Sequence, residues 1–301
     1  VRRRTAIAPG GLPITRSETM TDPRVSDAMP TAQTRSQGPQ RIFEVHDFAI
    51  GFGEGEDILR DVNMHVTAGE FVVLLGPSGC GKTTLMNVAA GLLKPRQGEA
   101  EFNGGPIKGV NRDVGYMTQD DTLLPWLSVR ANVGLPLKMR SVSPAEIKER
   151  VDRYLSILDL QHAADLWPSQ LSGGMRRRAL LARSVIYEPK LLLMDEPFAA
   201  LDAQMRHQMH IEVRSAVKRL NQTVMFVTHD IAEAAKLADR VLIFAGGRPG
   251  GLDGEYTAPY GDDRDLDHLR FTDEFAQFER QLDAGLARAR HENAIAEPAG
   301  H

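Results

Sequence analysis

The segment Gly76-Pro77-Ser78-Gly79-Cys80-Gly81-Lys82-Thr83 follows the pattern G-x-x-x-x-G-K-[ST]. Its chemistry is phosphate capture. Glycines let the backbone turn so that successive N–H groups face phosphate oxygens. A helix opening at the end of the segment adds a favourable dipole for an anion. The Lys82 ammonium is placed to reach β- and γ-phosphates, and the Thr83 hydroxyl to ligate Mg²⁺. Thr84 continues the same nucleotide-binding set. A second chemical centre is Leu191-Leu192-Leu193-Met194-Asp195-Glu196, an apolar run ending in two carboxylates. Open α/β sheets place ligand chemistry at such strand ends. Beside a phosphate loop, Asp195 reads as a holder of Mg²⁺ through water. Glu196 reads as the group that orients the attacking water or takes its proton.

These residues need strands to deliver them and helices to separate the strands. Phe43–Phe48 alternates like a strand, Asn63–Val66 is a second short candidate, and Phe71–Leu75 is an apolar run of buried-strand type. A helix is expected from near Lys82 through Leu85, Met86, Ala89 and Ala90, with Gly91 near its end. Further strands are expected at Glu99–Phe102, Val114–Thr118, Leu191–Asp195, Val224–Thr228 and Arg240–Phe244. Strands separated by helical patterns imply an α/β fold with a central parallel sheet, and the opening strands an antiparallel flap beside it. Residues 122–180 carry helical patterns and little strand signal, which suggests a helical subdomain inserted into the core. Within it, Ser143-Pro144-Ala145-Glu146 reads as a capping box, with Ile147, Val151, Tyr154, Leu155 and Leu158 on one helical face. Thr272 is placed to cap a last helix bearing Phe275, Phe278, Leu282 and Leu286, followed by a loose tail from about Glu292.

The 301 residues carry 36 Lys+Arg against 40 Asp+Glu, a net charge of −4, which supplies no overall drive toward nucleic acid. Cys80 is the single cysteine, so neither an intramolecular disulfide nor a multi-cysteine zinc site can form. The longest apolar runs fall far short of the ~20 residues of a membrane-spanning helix. Any membrane part must come from another chain. Residues 1–40 are rich in Arg, Thr, Ser, Pro and Gly, and are expected to be a disordered extension rather than a signal peptide. The first residue is Val1, which points to an unusual start codon or to Met20 as the beginning.

Between the two chemical centres lies Leu171-Ser172-Gly173-Gly174-Met175. With it the chain resembles the ATP-binding subunit of an ABC transporter, closely from Arg41 to about Gly250 and more loosely to about Leu286. The resemblance implies a P-loop ATPase domain over 41–250 and a C-terminal extension over 251–301. It implies hydrolysis of ATP with Mg²⁺ by a head-to-tail homodimer, in which Ser172, Gly173 and Gly174 touch the γ-phosphate held by the opposite subunit. A serine N-cap followed by a flexible glycine pair is the plainer reading of those three residues. By order and spacing, Gln119 becomes a contact to Mg²⁺ or to the attacking water, and His229 a contact to the γ-phosphate. Asp202 falls in the loop crossing the dimer interface, and is equally suited to cap a helix. Phe52, in the loop-like Gly51-Phe52-Gly53-Glu54-Gly55, occupies the place of the aromatic residue that stacks on adenine.

Two positions depart from the family pattern: Met175 stands where Gln is common, and Ala200 where Ser is frequent. Cys80 is expected to border the nucleotide, so that alkylation would block ATP binding. Leu123-Leu124-Pro125-Trp126 and Arg248-Pro249-Gly250 are similar to importers of nitrate, sulfonates and taurine. Trp126 either lies near the groove that receives a membrane subunit or simply anchors the helical subdomain. The implied partners are a permease and, indirectly, an extracytoplasmic solute-binding protein. The implied place is the cytoplasmic face of the membrane. The alternatives are the ATPase of an exporter and a soluble non-transport ATPase. The latter typically carries a long coiled coil or two cassettes, neither of which this sequence contains.

Overall fold

The computed structural model describes residues 40–53, 55–118, 123–247, 249–261 and 264–296. Gln119 and Arg248 lie outside the described residues, as do 1–39.

Two sheets carry the architecture. The first is antiparallel, in the order β2-β1-β4-β5, from β1 (Arg41–Gly51), β2 (Asp57–Thr67), β4 (Gln97–Phe102) and β5 (Gly105–Pro106). This is the flap expected from the sequence, with both opening strands longer than their apolar cores suggested. The second runs β10-β9-β3-β8-β7-β6, from β3 (Phe71–Leu75), β6 (Val114–Met117), β7 (Leu191–Asp195), β8 (Val224–Thr228), β9 (Arg240–Phe244) and β10 (Leu252–Thr257). Its pairings are parallel except for β10, which runs antiparallel to β9.

The central strands read as unbroken apolar runs because both of their faces are covered. Phe71, Val73 and Leu75 of β3 join one buried cluster, while Val72 and Leu74 join the other. The same alternation holds in β7, where Leu192 and Met194 face one side and Leu191 and Leu193 the other. One cluster lies toward the flap and α1 (Lys82–Ala89). The other takes in α2 (Val129–Met139), α3 (Pro144–Ile157), α4 (Gly173–Val185), α5 (Ala203–Leu220), α6 (Ile231–Leu237) and the C-terminal helices α7 (Leu266–Leu269) and α8 (Asp273–Ala296).

Local capping chemistry sets several helix starts. Ser143 Oγ accepts from the Glu146 N–H at 3.3 Å, and Thr272 Oγ1 from the Phe275 N–H at 3.2 Å. Val151, Tyr154 and Leu155 of α3 are buried, as are Phe275, Phe278, Leu282 and Leu286 of α8. Two expectations change. The last helix runs to Ala296 where a loose tail was expected from Glu292, because no Gly or Pro interrupts 292–296. Strand β10 has no apolar run to announce it, since it is an edge strand whose residues are half-exposed or exposed.

Candidate functional site

Strand order brings the two chemical centres together. In the sequence β3 and β7 are far apart; in the sheet only β8 separates them. Register then levels their ends, because Leu75 pairs with Thr228 and Asp195 with Val227. The loop after β3, the carboxylates closing β7 and His229 after β8 therefore emerge side by side at the carboxyl edge of the sheet. The loop, the carboxylates and the end of β8 surround a cavity of about 430 Å³ lined by Ser78, Gly79, Gly81, Lys82, Thr83, Thr84, Asp195, Glu196 and Val227, while His229 lines an adjoining cavity that shares Glu196.

The phosphate loop is shaped by its backbone. Gly81 has φ +98°, and a Cβ there would lie 2.6 Å from Leu59 Cγ, so both conformation and space demand glycine. No side chain caps α1, which leaves the N–H groups of its first turn directed at the cavity. Lys82 is buried, and its Nζ donates to the carbonyl oxygens of Gly76 (2.9 Å) and Pro77 (2.7 Å). The ammonium is thus fixed at the floor of the loop. The ammonium also donates to the Cys80 sulfur at 3.5 Å.

Burial changes one expectation. Cys80 is 1% exposed, and its side chain packs in the cluster under the flap rather than against the cavity. Its backbone belongs to the loop; its thiol is shielded from alkylating reagents.

The Thr83 hydroxyl donates to Asp195 Oδ2 at 2.9 Å. Burial raises the Asp195 carboxyl above its ordinary value, and the neighbouring Glu196 charge adds to this; the Thr83 hydrogen bond and Lys82 oppose it. A hydroxyl and a desolvated carboxylate beside a phosphate loop form an oxygen donor set that fits Mg²⁺, whose remaining positions are normally filled by water and phosphate. Glu196 sits at φ +43°, a left-handed backbone unusual for a non-glycine residue. Its Oε1 lies 3.2 Å from His229 Nδ1, and His229 itself is exposed. The turn after β7 thus spends backbone strain on aiming Glu196 away from its strand.

Ser172, Gly174 and Asp202 line a separate cavity of about 490 Å³ between α4 and α5. Ser172 Oγ accepts from the Met175 N–H at 3.3 Å and Asp202 Oδ1 from the Met205 N–H at 2.9 Å, so both residues are helix N-caps. Gly173 opens α4, and a Cβ there would meet Met205 Sδ at 3.1 Å. The structure does not bring these residues to the phosphate-loop cavity of their own chain. Phe52, in the loop joining β1 to β2, is 61% exposed.

Four positioning residues carry no sequence signal. Ile58 and Val227 wall the cavity, one from the flap and one from the parallel sheet. The wholly buried Asn132 binds both the N–H and carbonyl of Leu124 and the carbonyl of Leu127, which fixes the turn carrying the exposed Trp126. Tyr116 on β6 hydrogen-bonds Asn87 on α1 at 3.3 Å. Burial, with the Asp195 charge, pushes its phenol up to about 12.

Residues 59–199 match the family model described as ABC transporter. An ATP-binding protein of Brucella abortus biovar 1 (strain 9-941) is 47% identical over 195 residues, 65% of this chain and 75% of that protein. The taurine import ATP-binding protein of Pelagibacter ubique (strain HTCC1062) is 39% identical over 233 residues, 76% of this chain and 88% of the other. Among solved structures, a dimeric ATP-binding cassette bound to ADP and Pi in a post-hydrolysis state is similar, with TM-score 0.62 and 28% identity. That likeness covers 73% of this chain and 100% of the cassette.

Proposed function

The chain belongs to the ABC transporter family of ATP-binding subunits and hydrolyses ATP, and on that premise we propose that it powers an importer of small anions such as nitrate, sulfonates or taurine. The observation that supports a working site most directly is the meeting of three strand ends around one cavity, with Thr83 on Asp195 and Glu196 on His229.

In this reading the nucleotide phosphates lie on the uncapped N-terminus of α1, with Lys82 at the β- and γ-phosphates. Phe52 stacks on adenine, a contact worth ~1–3 kcal/mol. Thr83 and Asp195 hold Mg²⁺, directly or through water, with Gln119 also assigned to it from the family pattern. When bound, the ion neutralises phosphate charge as the γ-phosphoryl group leaves. Glu196 orients the attacking water and takes its proton; His229 steadies Glu196 and faces the γ-phosphate. The α4 N-terminus, with Ser172, Gly173 and Gly174, is a second anion site lying outside the first cavity, so it would serve the nucleotide of a partner subunit. Two copies, head to tail, would sandwich two ATP molecules, with Asp202 at the crossing loop.

No described helix is long and apolar enough to cross a membrane. The subunit would dock on the cytoplasmic face of a permease, through the neighbourhood of Trp126, and an extracytoplasmic solute-binding protein would choose the substrate. Purification of the tagged chain from gently solubilised native membranes tests this. A permease together with a solute receptor that binds a sulfonate or nitrate is the expected result. Recovery with ribosomes or DNA and no permease overturns the transport role while leaving the ATPase intact.

A further inference from the structure

The loop bearing Phe52 is short, glycine-rich and exposed, yet it is tied down by one side chain from elsewhere. Arg96 lies just before β4. Its own N–H donates to Ala49 of β1 at 2.8 Å, which anchors its backbone beside the loop. From there Nη2 donates to the Gly53 carbonyl at 2.7 Å, and Nη1 to the Gly55 carbonyl at 2.9 Å. Nη1 also meets Asp57 Oδ1 at 2.7 Å, at the first residue of β2. The guanidinium therefore grips the loop on both sides of its tip.

Two further features fit the grip. The guanidinium passes close to Gly51, where a Cβ would lie 2.9 Å from Nη2 and 2.7 Å from the Glu56 carbonyl oxygen, so glycine leaves room for both. Asp57 is nearly buried, its side chain 7% exposed, and its charge is matched by Arg96 and by Arg60, with Nη2 of Arg60 2.9 Å away. Arginine suits this task because its planar fork spreads five N–H donors over acceptors that lie apart, whereas the three of lysine radiate from one nitrogen.

We propose that Arg96 is a positioning residue for nucleotide affinity, its guanidinium holding the Phe52 loop in the one shape that presents the phenyl ring to the adenine base. This rests on the reading that Phe52 stacks on adenine. Without the grip the loop samples many shapes and only a fraction of molecules binds the base. Apparent affinity falls by that fraction. The groups Arg96 binds, on Ala49, Gly53, Gly55 and Asp57, all lie outside the phosphate loop.

The test uses the purified full-length chain and titration calorimetry with MgATP and, separately, with magnesium tripolyphosphate, which has no base. The variants are Arg96→Ala, Phe52→Ala and the double variant. Arg96→Ala is expected to weaken ATP binding by about 5- to 20-fold. It should leave tripolyphosphate binding unchanged and cause no further loss in the Phe52→Ala background. Arg96→Lys should restore only part of the affinity. Wild-type ATP affinity in Arg96→Ala, beside a weakened Phe52→Ala, overturns the brace and leaves the stacking reading standing. An equal loss of tripolyphosphate binding also overturns it, since the arginine would then act on the fold at large. Wild-type affinity in Phe52→Ala removes the stacking reading and the brace together.

Discussion

Glu196 lines the phosphate cavity and lies 3.2 Å from His229, close enough for the two to act as one device. Glu196→Gln keeps the side chain's shape and the left-handed backbone at φ +43°, and removes only the charge and the basicity. ATP binding and thermal stability should therefore hold. Turnover should fall by roughly 10²–10⁴-fold, the usual scale for loss of a general base. At 1.36 kcal/mol per decade this is about 2.7–5.4 kcal/mol of transition-state stabilisation. His229→Gln should also slow hydrolysis, because the histidine fixes the carboxylate's direction. If the two acted independently, the losses would multiply. Groups in direct contact instead couple by roughly 0.5–3 kcal/mol. The double variant should then fall short of the product by about 2- to 150-fold. The assay is single-turnover phosphate release at saturating MgATP, with ATP affinity measured in parallel. A double-variant loss equal to the product would show that the contact carries no mechanism. Wild-type turnover in Glu196→Gln would remove Glu196 from catalysis altogether.

Three more outcomes follow from single positions. Asp195 is held above its ordinary carboxyl value chiefly by burial, so the folded chain binds its proton more tightly than the unfolded chain. Raising the pH from 3.8 through the raised value therefore costs stability, and the whole penalty is present at neutral pH. Asp195→Asn should accordingly raise the melting temperature of the nucleotide-free protein at pH 7, flatten that pH dependence, and abolish Mg²⁺-dependent hydrolysis; a lower melting temperature would refute the electrostatic account. Gly81→Ala must fit a Cβ 2.6 Å from Leu59 Cγ at φ +98°, and should cost about 1–3 kcal/mol with loss of ATP binding. Chemical denaturation and nucleotide titration read both effects, and a wild-type midpoint would show that the loop can re-form. Cys80, 1% exposed, should react with iodoacetamide at least about tenfold more slowly in the folded chain than in urea, and labelling at the denatured rate would show the thiol to be open.

Much of the fold was legible because burial on both faces leaves an unmistakable mark. Phe71–Leu75, Leu191–Asp195, Val224–Thr228 and Arg240–Phe244 coincide with β3, β7, β8 and β9. The helix starts at Ser143 and Thr272 were legible for a similar reason, since capping is a contact between residues three apart. The edge strand β10 left no such mark, because half-exposed residues need no apolar run. The burial of the Cys80 thiol was not legible, because membership of a loop says nothing about the face to which a side chain turns.

The sequence by itself determined the chemical inventory: a glycine-rich phosphate loop ending in Lys82 and Thr83, paired acids at the end of an apolar run, and a serine-glycine helix start. Residue type and local spacing suffice for these, because each is a property of a few consecutive residues. Only the tertiary structure decided what meets what. Strand order put β8 between β3 and β7, and register levelled their ends, so that Thr83 reached Asp195 and Glu196 reached His229. It also separated Ser172 from its own phosphate loop, and laid Arg96 across the loop of Phe52. Such meetings depend on packing between segments far apart in the chain, and local pattern carries no record of which segments will become neighbours.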